Sequence, residues 1–366
     1  MLPLRTLRQS LCLFYKPATI TKVPATLHLD ASTDIPQAAS ILCEGGTVAF
    51  ATETVYGLGA NALSPEAIAK IFAAKQRPSW DPLIVHLASA ADLPTITTIP
   101  IALQPRIEAL SEAFWPGPLT LLLPRNKHIP DTVTAGRLLV GVRIPSHPAA
   151  QALLRAAGIP IAAPSANTFG HTSPTTAQHV LDDLNGRINA VLDAGPTTVG
   201  LESTVLDPTQ TPMVLYRPGA ITPEQLTAAT GIPVQVHIPA PTTATPESLP
   251  SPGVGIRHYA PRARLVLVEI PETGDLTHTL LPQNEIEKNA SHRIGVMLPN
   301  DWAILPGSSM YPWGPWEDKT ELARTLFSGL RTLDDRGVDV ILCPLPPPGG
   351  LGDALRDRLQ KAARPT

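Results

Sequence analysis

Gly45-Gly46-Thr47-Val48-Ala49-Phe50-Ala51-Thr52-Glu53-Thr54-Val55-Tyr56-Gly57-Leu58-Gly59 is the stretch from which the rest of this 366-residue chain can be read, together with Lys75-Gln76-Arg77-Pro78 and Asp81-Pro82-Leu83-Ile84-Val85-His86 just beyond it. The short apolar run Val48 to Phe50 follows a glycine turn and reads as a buried strand. Thr52 to Gly59 then reads as a hydroxyl-rich loop bounded by glycines. Ser64 caps a helix that begins at Pro65 and carries Ile68, Ile71 and Phe72 at helical spacing until Pro78 stops it. Lys75 and Arg77 fall in its last turn, and Leu83 to Leu87 reads as the next strand, with His86 near its end. Hydroxyls, two cations and a histidine are thereby gathered at connections, where sites are usually built.

Taken singly, each of these residues has a plainer explanation. Lys75 and Arg77 would complement a helix C-terminus, an effect of at most about 1 kcal/mol. On that reading alanine at either position costs little; if the pair acts on phosphates, turnover collapses with stability nearly intact. Thr52 and Thr54 suit a strand end, Gly57 and Gly59 a turn, and His86 a satisfied core position. Their density in one unit favours a site. Neither Gly-x-x-x-x-Gly-Lys-Ser/Thr nor a Gly-x-Gly-x-x-Gly after a strand occurs, so a phosphate here is expected to be held by side-chain cations and hydroxyls.

The length suffices for two domains, and a net charge of −3 shows no basic excess that would advertise nucleic acid. The 42 prolines cluster between elements and imply stiff loops and few long helices. Cys12, Cys43 and Cys343 are far apart, without Cys-x-x-Cys or paired histidines at ligand spacing, which predicts a reduced, cytoplasmic interior and no structural zinc. No run approaches the roughly 18 apolar residues of a membrane span. Residues 1–29 carry Arg5, Arg8, Lys16 and Lys22 and no acid before Asp30. They are expected to form an unstructured extension, with an organellar presequence as the alternative, because Leu11 to Tyr15 is too short for a secretory core.

Outward from the quoted stretch, residues 30–234 read as one α/β domain. Helices are expected over Ile35 to Cys43, Ile107 to Phe114 and Pro148 to Ala157. Strands are expected over Leu119 to Leu123, Leu138 to Pro145, Ile159 to Ala163 and Val191 to Asp193, and as a pair over Gly200 to Asp207 and Val214 to Gly219. Arg143 lies inside an apolar run, where an unpaired arginine is expensive; it either leaves an edge strand or grips a carboxylate through its planar fork, and the fork is the favoured reading. Ser165, Asn167, Thr172 and Ser173 line the loop from Pro164 to Thr175, and Ser173-Pro174 is expected to cap the next helix. Residues 235–262 change character: Pro239 to Pro252 reads as an extended linker, ending in Ser251-Pro-Gly-Val-Gly-Ile-Arg-His-Tyr-Ala-Pro261. Residues 263–366 alternate strands (Ala263 to Ile270, Ile294 to Leu298, Val338 to Leu342) with helices, one striped by Leu322, Leu326, Leu330 and Leu333 and closed by Gly337, the other Leu351 to Ala363. That alternation predicts a small parallel-sheet, Rossmann-like domain, in which no convergent titratable cluster is legible.

Phe50-Ala-Thr-Glu-Thr-Val-Tyr-Gly-Leu-Gly59, with Lys75-x-Arg77-Pro and Asp81-Pro-Leu-Ile-Val-His86, resembles the opening signature of the YrdC family of threonylcarbamoyl-AMP synthases, with Ala51 in place of a proline. Ser165-Ala-Asn167, Ser173-Pro-Thr175, Glu202-Ser-Thr-Val205 and Arg217-Pro-Gly219 resemble its later signatures, with Phe169 in place of a serine. The Ser251 to Pro261 segment resembles one in the family's longer, two-domain members. The resemblance implies an α/β fold: a twisted, mixed open sheet followed by a small Rossmann-like parallel domain. It implies a cytoplasmic nucleotidyltransferase making L-threonylcarbamoyl-AMP from L-threonine, bicarbonate or carbon dioxide, and ATP, with release of pyrophosphate. The product would pass to the tRNA threonylcarbamoyl transferase machinery for modification of the adenosine beside the anticodon; direct tRNA binding is left undecided.

Carried over onto this sequence, the resemblance assigns Thr54, His86, Arg143, the backbone at Ala163, and Ser203 to threonine, with Arg143 on its carboxylate. It assigns Arg77, Asp81, the backbone at Leu139, Ser165, Asn167, Ser173 and Arg217 to ATP, with Lys75 and Arg77 as catalytic cations at the phosphates. Tyr259 would cover the nucleotide, on a lid hinged at Gly253 and Gly255 with Arg257 or His258 toward the phosphates. Magnesium would ride on the phosphates rather than in a protein cage. Both reactants are anionic, so catalysis is expected to be mostly positioning and charge neutralisation. An RNA-binding or regulatory module using Lys75, Arg77, Arg143 and Arg217 as a phosphate footprint is the alternative, disfavoured because these cations sit in apolar runs. A carbamoyl-adenylate enzyme of hydrogenase maturation would need zinc fingers that three scattered cysteines cannot supply.

Overall fold

The structure, a computed structural model, describes residues 25–238, 248–251, 257–270, 276–303 and 307–365. The expectations for residues 1–24, for linker residues 239–247 and for a hinge at Gly253 and Gly255 lie outside the described residues. Strands β1 (Leu27–Asp30), β2 (Val48–Ala51), β3 (Tyr56–Asn61), β4 (Ile84–His86), β5 (Leu119–Pro124), β6 (Leu139–Arg143), β7 (Ile161–Ala162), β8 (Ala190–Asp193), β9 (Thr204–Asp207), β10 (Met213–Arg217) and β11 (Val234–Val236) form one mixed sheet in the order β1-β8-β2-β3-β7-β4-β6-β5-β9-β10-β11. Strands β12 (Arg264–Glu269), β13 (Ile294–Pro299), β14 (Ser309–Gly314) and β15 (Val340–Leu345) form a second sheet, order β12-β15-β13-β14, in which every pairing is parallel. Helices α1 (Ile35–Cys43), α2 (Pro65–Lys75), α3 (Gln104–Phe114), α4 (Asp131–Thr134), α5 (Pro148–Ala157), α6 (Ala177–Leu184) and α7 (Pro223–Thr230) accompany the first sheet, and α8 (Leu276–Asn289), α9 (Lys319–Asp335) and α10 (Leu351–Ala362) the second.

Strand β2 is buried on both faces, and its alternation divides the core of the first domain. Val48 and Phe50 pack with Leu42 of α1 and Leu153 and Leu154 of α5, while Ala49 and Ala51 face Ile68 and Ile71 of α2. This is the pattern of a sheet covered by helices on both sides.

Four local expectations are corrected. Thr52 to Gly59 is not one loop, because Tyr56–Asn61 is a strand antiparallel to β2. Its glycines answer crowding rather than a turn: a Cβ on Gly59 would lie 2.8 Å from Phe50 Cε1 and 2.9 Å from Ile161, and one on Gly57 3.2 Å from Ala163 Cβ. Helix α2 starts as expected, with the Ser64 hydroxyl accepting from Ala67 N, but it ends at Gln76 in the left-handed conformation (φ 54°), so Arg77 lies past it. Thr176, not Ser173, caps α6, its hydroxyl accepting from His179 N. Ordered structure begins before Asp30, with β1 pairing in parallel with β8; only Leu29 of its four residues is buried, which left no periodic signal.

The second domain seats directly on the first beside the Thr52–Val55 turn. Val55 and Leu201 belong to the same apolar cluster as Leu326 and Phe327 of α9 and Leu355 of α10. Gly200, with φ +79°, lies so close to α9 that a Cβ there would come within 2.5 Å of Ala323 O and Arg324 Cα.

Candidate active site

Pairing register builds the site. Parallel strands β4 and β6 set His86 opposite Arg143 at their C-terminal ends, and β4 pairs with β7 so that His86 also faces Ile161. A bridge between Gly57 of β3 and Ser165 ties that strand to the loop from Pro164 to Thr175. Parallel pairing of β5 with β9 places Thr120 beside Ser203, whose hydroxyls are 2.8 Å apart, and β10 ends at Arg217. The result is a cavity of about 50 Å³ lined by Thr54, Arg77, His86, Arg143, Ala163, Ser165, Ser203, Arg217 and Tyr259, with Glu202 and His258.

Every cation in this wall is buried and already committed. Arg143 donates from Nε to Gly117 O (3.2 Å) and from Nη1 to Thr54 Oγ1 (2.8 Å), while Nη2 stands 2.7 Å from Glu53 Oε1. That last contact is an ion pair without hydrogen-bond alignment, so Nη2 and both Glu53 oxygens are buried with unused hydrogen-bonding capacity. Arg217 donates to Ser203 O (3.0 Å) and Ser203 Oγ (3.1 Å). Arg77 donates to Asp81 O (3.1 Å) and Pro82 O (2.8 Å) and pairs with Asp81 Oδ2 at 2.9 Å. A phosphate or carboxylate entering here therefore meets preorganised charge.

Five expected residues stand behind the wall. Lys75 donates its ammonium to Ser165 O and Asn167 O, tying α2 to the loop that carries Ser165, and burial pushes its pKa well below the ordinary lysine value, with the positive charge of Arg77 adding to the shift. Asp81 is the buried partner of Arg77. Asn167 donates to Thr168 O and His171 O, shaping the same loop, and Ser173 donates to Glu202 Oε1 at 2.5 Å. Leu139 begins β6, at the end of the strand opposite Arg143. Because Lys75 is buried with its ammonium on two carbonyls and Arg77 is buried in an ion pair with Asp81, alanine at either position is expected to cost stability as well as turnover.

Residues 257–260 close the cavity from the second domain. Tyr259, 1% exposed and at φ 65°, stacks on Phe327 with ring centroids 5.8 Å apart. The His258 ring meets Phe169 edge-on at 5.5 Å, and Ala260 N donates to Gly170 O (2.9 Å), so the segment touches the loop after Ser165 directly. Sequence reasoning missed Glu53, the buried ion-pair partner of Arg143. Glu53 was legible only as an acid between two threonines.

Histidine burial sets the acid behaviour. Burial, with Arg143 adding to it, pushes His86 down to about 3, and its Nδ1 has no partner among the described residues; burial also pushes His179 down to about 4. Both stay neutral in the folded protein while the unfolded chain takes up protons below about pH 6.5. Stability is therefore full above that pH and is lost as pH falls, approaching about 1.4 kcal/mol per pH unit for each histidine. Urea unfolding at pH 7.5 and 5.5 is expected to show this loss; equal unfolding free energies would contradict it.

Among the described residues no helix is long and apolar enough to cross a membrane, and no three His, Cys, Asp or Glu side chains converge as a metal cage. Comparison with known proteins gives a Sua5/YciO/YrdC family model, described as "Telomere recombination", over residues 40–219, and one described as "Threonylcarbamoyl-AMP synthase, C-terminal domain" over residues 221–364. Threonylcarbamoyl-AMP synthase of Pyrococcus abyssi is 40% identical over 89% of this chain and 93% of its own. That of Bacillus subtilis is 42% identical over 90% and 92%. The crystal structure of P. abyssi Sua5 complexed with L-threonine superposes with a TM-score of 0.84 at 38% identity, covering 92% of this chain and 97% of that one.

Proposed function

Since this chain belongs to the threonylcarbamoyl-AMP synthases, in their two-domain form, we propose that the cavity at the ends of β4 and β6 is where L-threonine is carbamoylated and adenylylated with ATP. The observation that carries this assignment is the convergence in one closed space of Arg143, Thr54, Ser203, Arg217 and Arg77, with Arg143 Nη2 and His86 Nδ1 holding unused hydrogen-bonding capacity. Threonine places its carboxylate on Arg143 Nη2, with the Thr54 and Ser203 hydroxyls and the Ala163 backbone fixing its orientation. His86, neutral at working pH, offers a hydrogen bond without adding charge.

The neutral threonine amine joins the carbon of bicarbonate, giving a carbamate and water, or of carbon dioxide, giving a carbamate and a proton that leaves to solvent. A carbamate oxygen then forms a bond to the α-phosphorus of ATP as the bond from that phosphorus to the bridging oxygen breaks and pyrophosphate leaves. Arg217 and Arg77 neutralise the phosphates, and Asp81 and the loop held by Lys75, with Ser165, Asn167 and Ser173, keep them in place. Leu139 would take part through its backbone only if β6 shifted toward the nucleotide. A magnesium ion, borne by the phosphates, would supply further charge. Ordinary ligand sites enclose about 300–1,000 Å³. With only about 50 Å³ present, substrates enter when residues 257–260 draw back from Phe169 and Gly170, and Tyr259 then closes over the nucleotide, keeping water from a labile mixed anhydride. We place the enzyme in the cytoplasm, upstream of the machinery that transfers the threonylcarbamoyl group to tRNA.

Calorimetry tests the assignment. Arg143→Lys keeps charge but loses the fork, and is expected to weaken threonine binding at least about tenfold while ATP binding changes little. Unchanged threonine affinity in a folded variant would refute the placement.

A further inference from the structure

Among the described residues that line the cavity, Glu202 alone is acidic. An unpaired carboxylate there would oppose both the nucleotide and the threonine carboxylate. It is held instead by two contacts of different origin. Oε1 accepts from Ser173 Oγ at 2.5 Å within the first domain, and Oε2 pairs at 2.7 Å with Nε of Arg358, which comes from α10 of the second domain.

Arg358 is completely buried, an unusual place for a guanidinium unless its charge is used. Its Nη2 reaches Glu202 O (3.3 Å), its Nη1 pairs with Asp357, and its guanidinium carbon lies 5.2 Å from the centroid of the Tyr259 ring. Asp357 in turn holds Lys361 at 2.8 Å, so the arginine's other side is anchored within α10. One side chain thus touches both the acid of the cavity wall and the aromatic ring that closes it.

We propose that Arg358 is a positioning residue for nucleotide binding: it neutralises Glu202 and seats Tyr259, so that the last helix of the second domain completes the electrostatics of a site built on the first. The proposal rests on the reading of the cavity as the adenylylating site. Removing the guanidinium leaves Glu202 facing the incoming phosphates without its ion-pair partner, and Tyr259 without the guanidinium on its ring.

The test is ATP affinity by calorimetry on full-length protein, without turnover. Arg358→Met is expected to weaken ATP binding at least about tenfold. Arg358→Lys keeps the charge but loses the flat contact with Tyr259, and is expected to lose about threefold. Adding Glu202→Gln to Arg358→Met is expected to return the affinity to within about threefold of wild type, since the opposing charge is then gone. Melting temperature is recorded beside affinity, because a purely structural arginine would lower stability and regain it in the double variant while ATP affinity of the folded protein stayed at the wild-type value throughout. The proposal is overturned if folded Arg358→Lys and Arg358→Met bind ATP as wild type does, or if the double variant is as weak as Arg358→Met. Should thermal melting show that Arg358→Met does not fold, the lysine and double variants decide it: wild-type affinity in the first or a tenfold or greater loss in the second overturns it. Wild-type protein that binds ATP but releases no pyrophosphate with threonine and bicarbonate present refutes the functional reading while these affinities still judge Arg358; wild-type protein that binds no ATP overturns both.

Discussion

A chain ending after Pro239 is expected to remain folded and bind threonine while making almost no adenylate. The two apolar clusters on either side of the first sheet are complete without the second domain, whose own apolar cluster takes in, among the described residues, Val55 and Leu201 of the first. Truncation therefore uncovers Val55 and Leu201 and frees Thr172, Thr175 and Asp183 from their contacts with α9, but leaves the first domain's own core intact, and Arg143, Thr54, His86 and Ser203 all remain. What is lost is the closing segment, including His258 and Tyr259, together with the Arg358 contact to Glu202. An open site exposes a mixed anhydride to water and leaves a carboxylate turned toward the phosphates. Calorimetry with threonine and a pyrophosphate-release assay check the two halves. Full synthase activity in the truncated protein would reduce residues 257–260 to a tether.

Arg77→Ala is expected to lower turnover by about 10² to 10³, the usual cost of removing one preorganised charge partner from a transition state. It should also lower stability by about 3–5 kcal/mol, because Asp81 is left buried without its ion-pair partner. The two effects separate in Arg77→Met combined with Asp81→Asn. There, stability measured by urea unfolding is expected to recover while turnover does not. If turnover recovers along with stability, Arg77 is a structural ion-pair partner and the phosphates are held elsewhere.

The parts of the site that were legible are those whose chemistry is written locally. Arg143 inside an apolar strand could not be solvated cheaply, and the structure buries it against Thr54 and Glu53. Ser64, Pro65 and the helical spacing of Ile68 and Ile71 sufficed to define α2. Gly57 and Gly59 misled, because glycine selected for close approach within a sheet looks the same in sequence as glycine selected for a turn. Ser173 before a proline looked like a cap, yet its hydroxyl serves Glu202, a partner 29 residues on. Arg358 is the clearest limit. In sequence it is one of several charges in an amphipathic helix, and what defines it is an acid 156 residues away in another domain. No pattern within α10 announces a partner at that distance.

The central claim is tested most directly by pyrophosphate release from ATP by the purified full-length protein in degassed buffer, with threonine and bicarbonate omitted in turn. The account predicts release only when both are present, with L-threonylcarbamoyl-AMP as the accompanying product. Release that continues undiminished without threonine, or without bicarbonate, would contradict it.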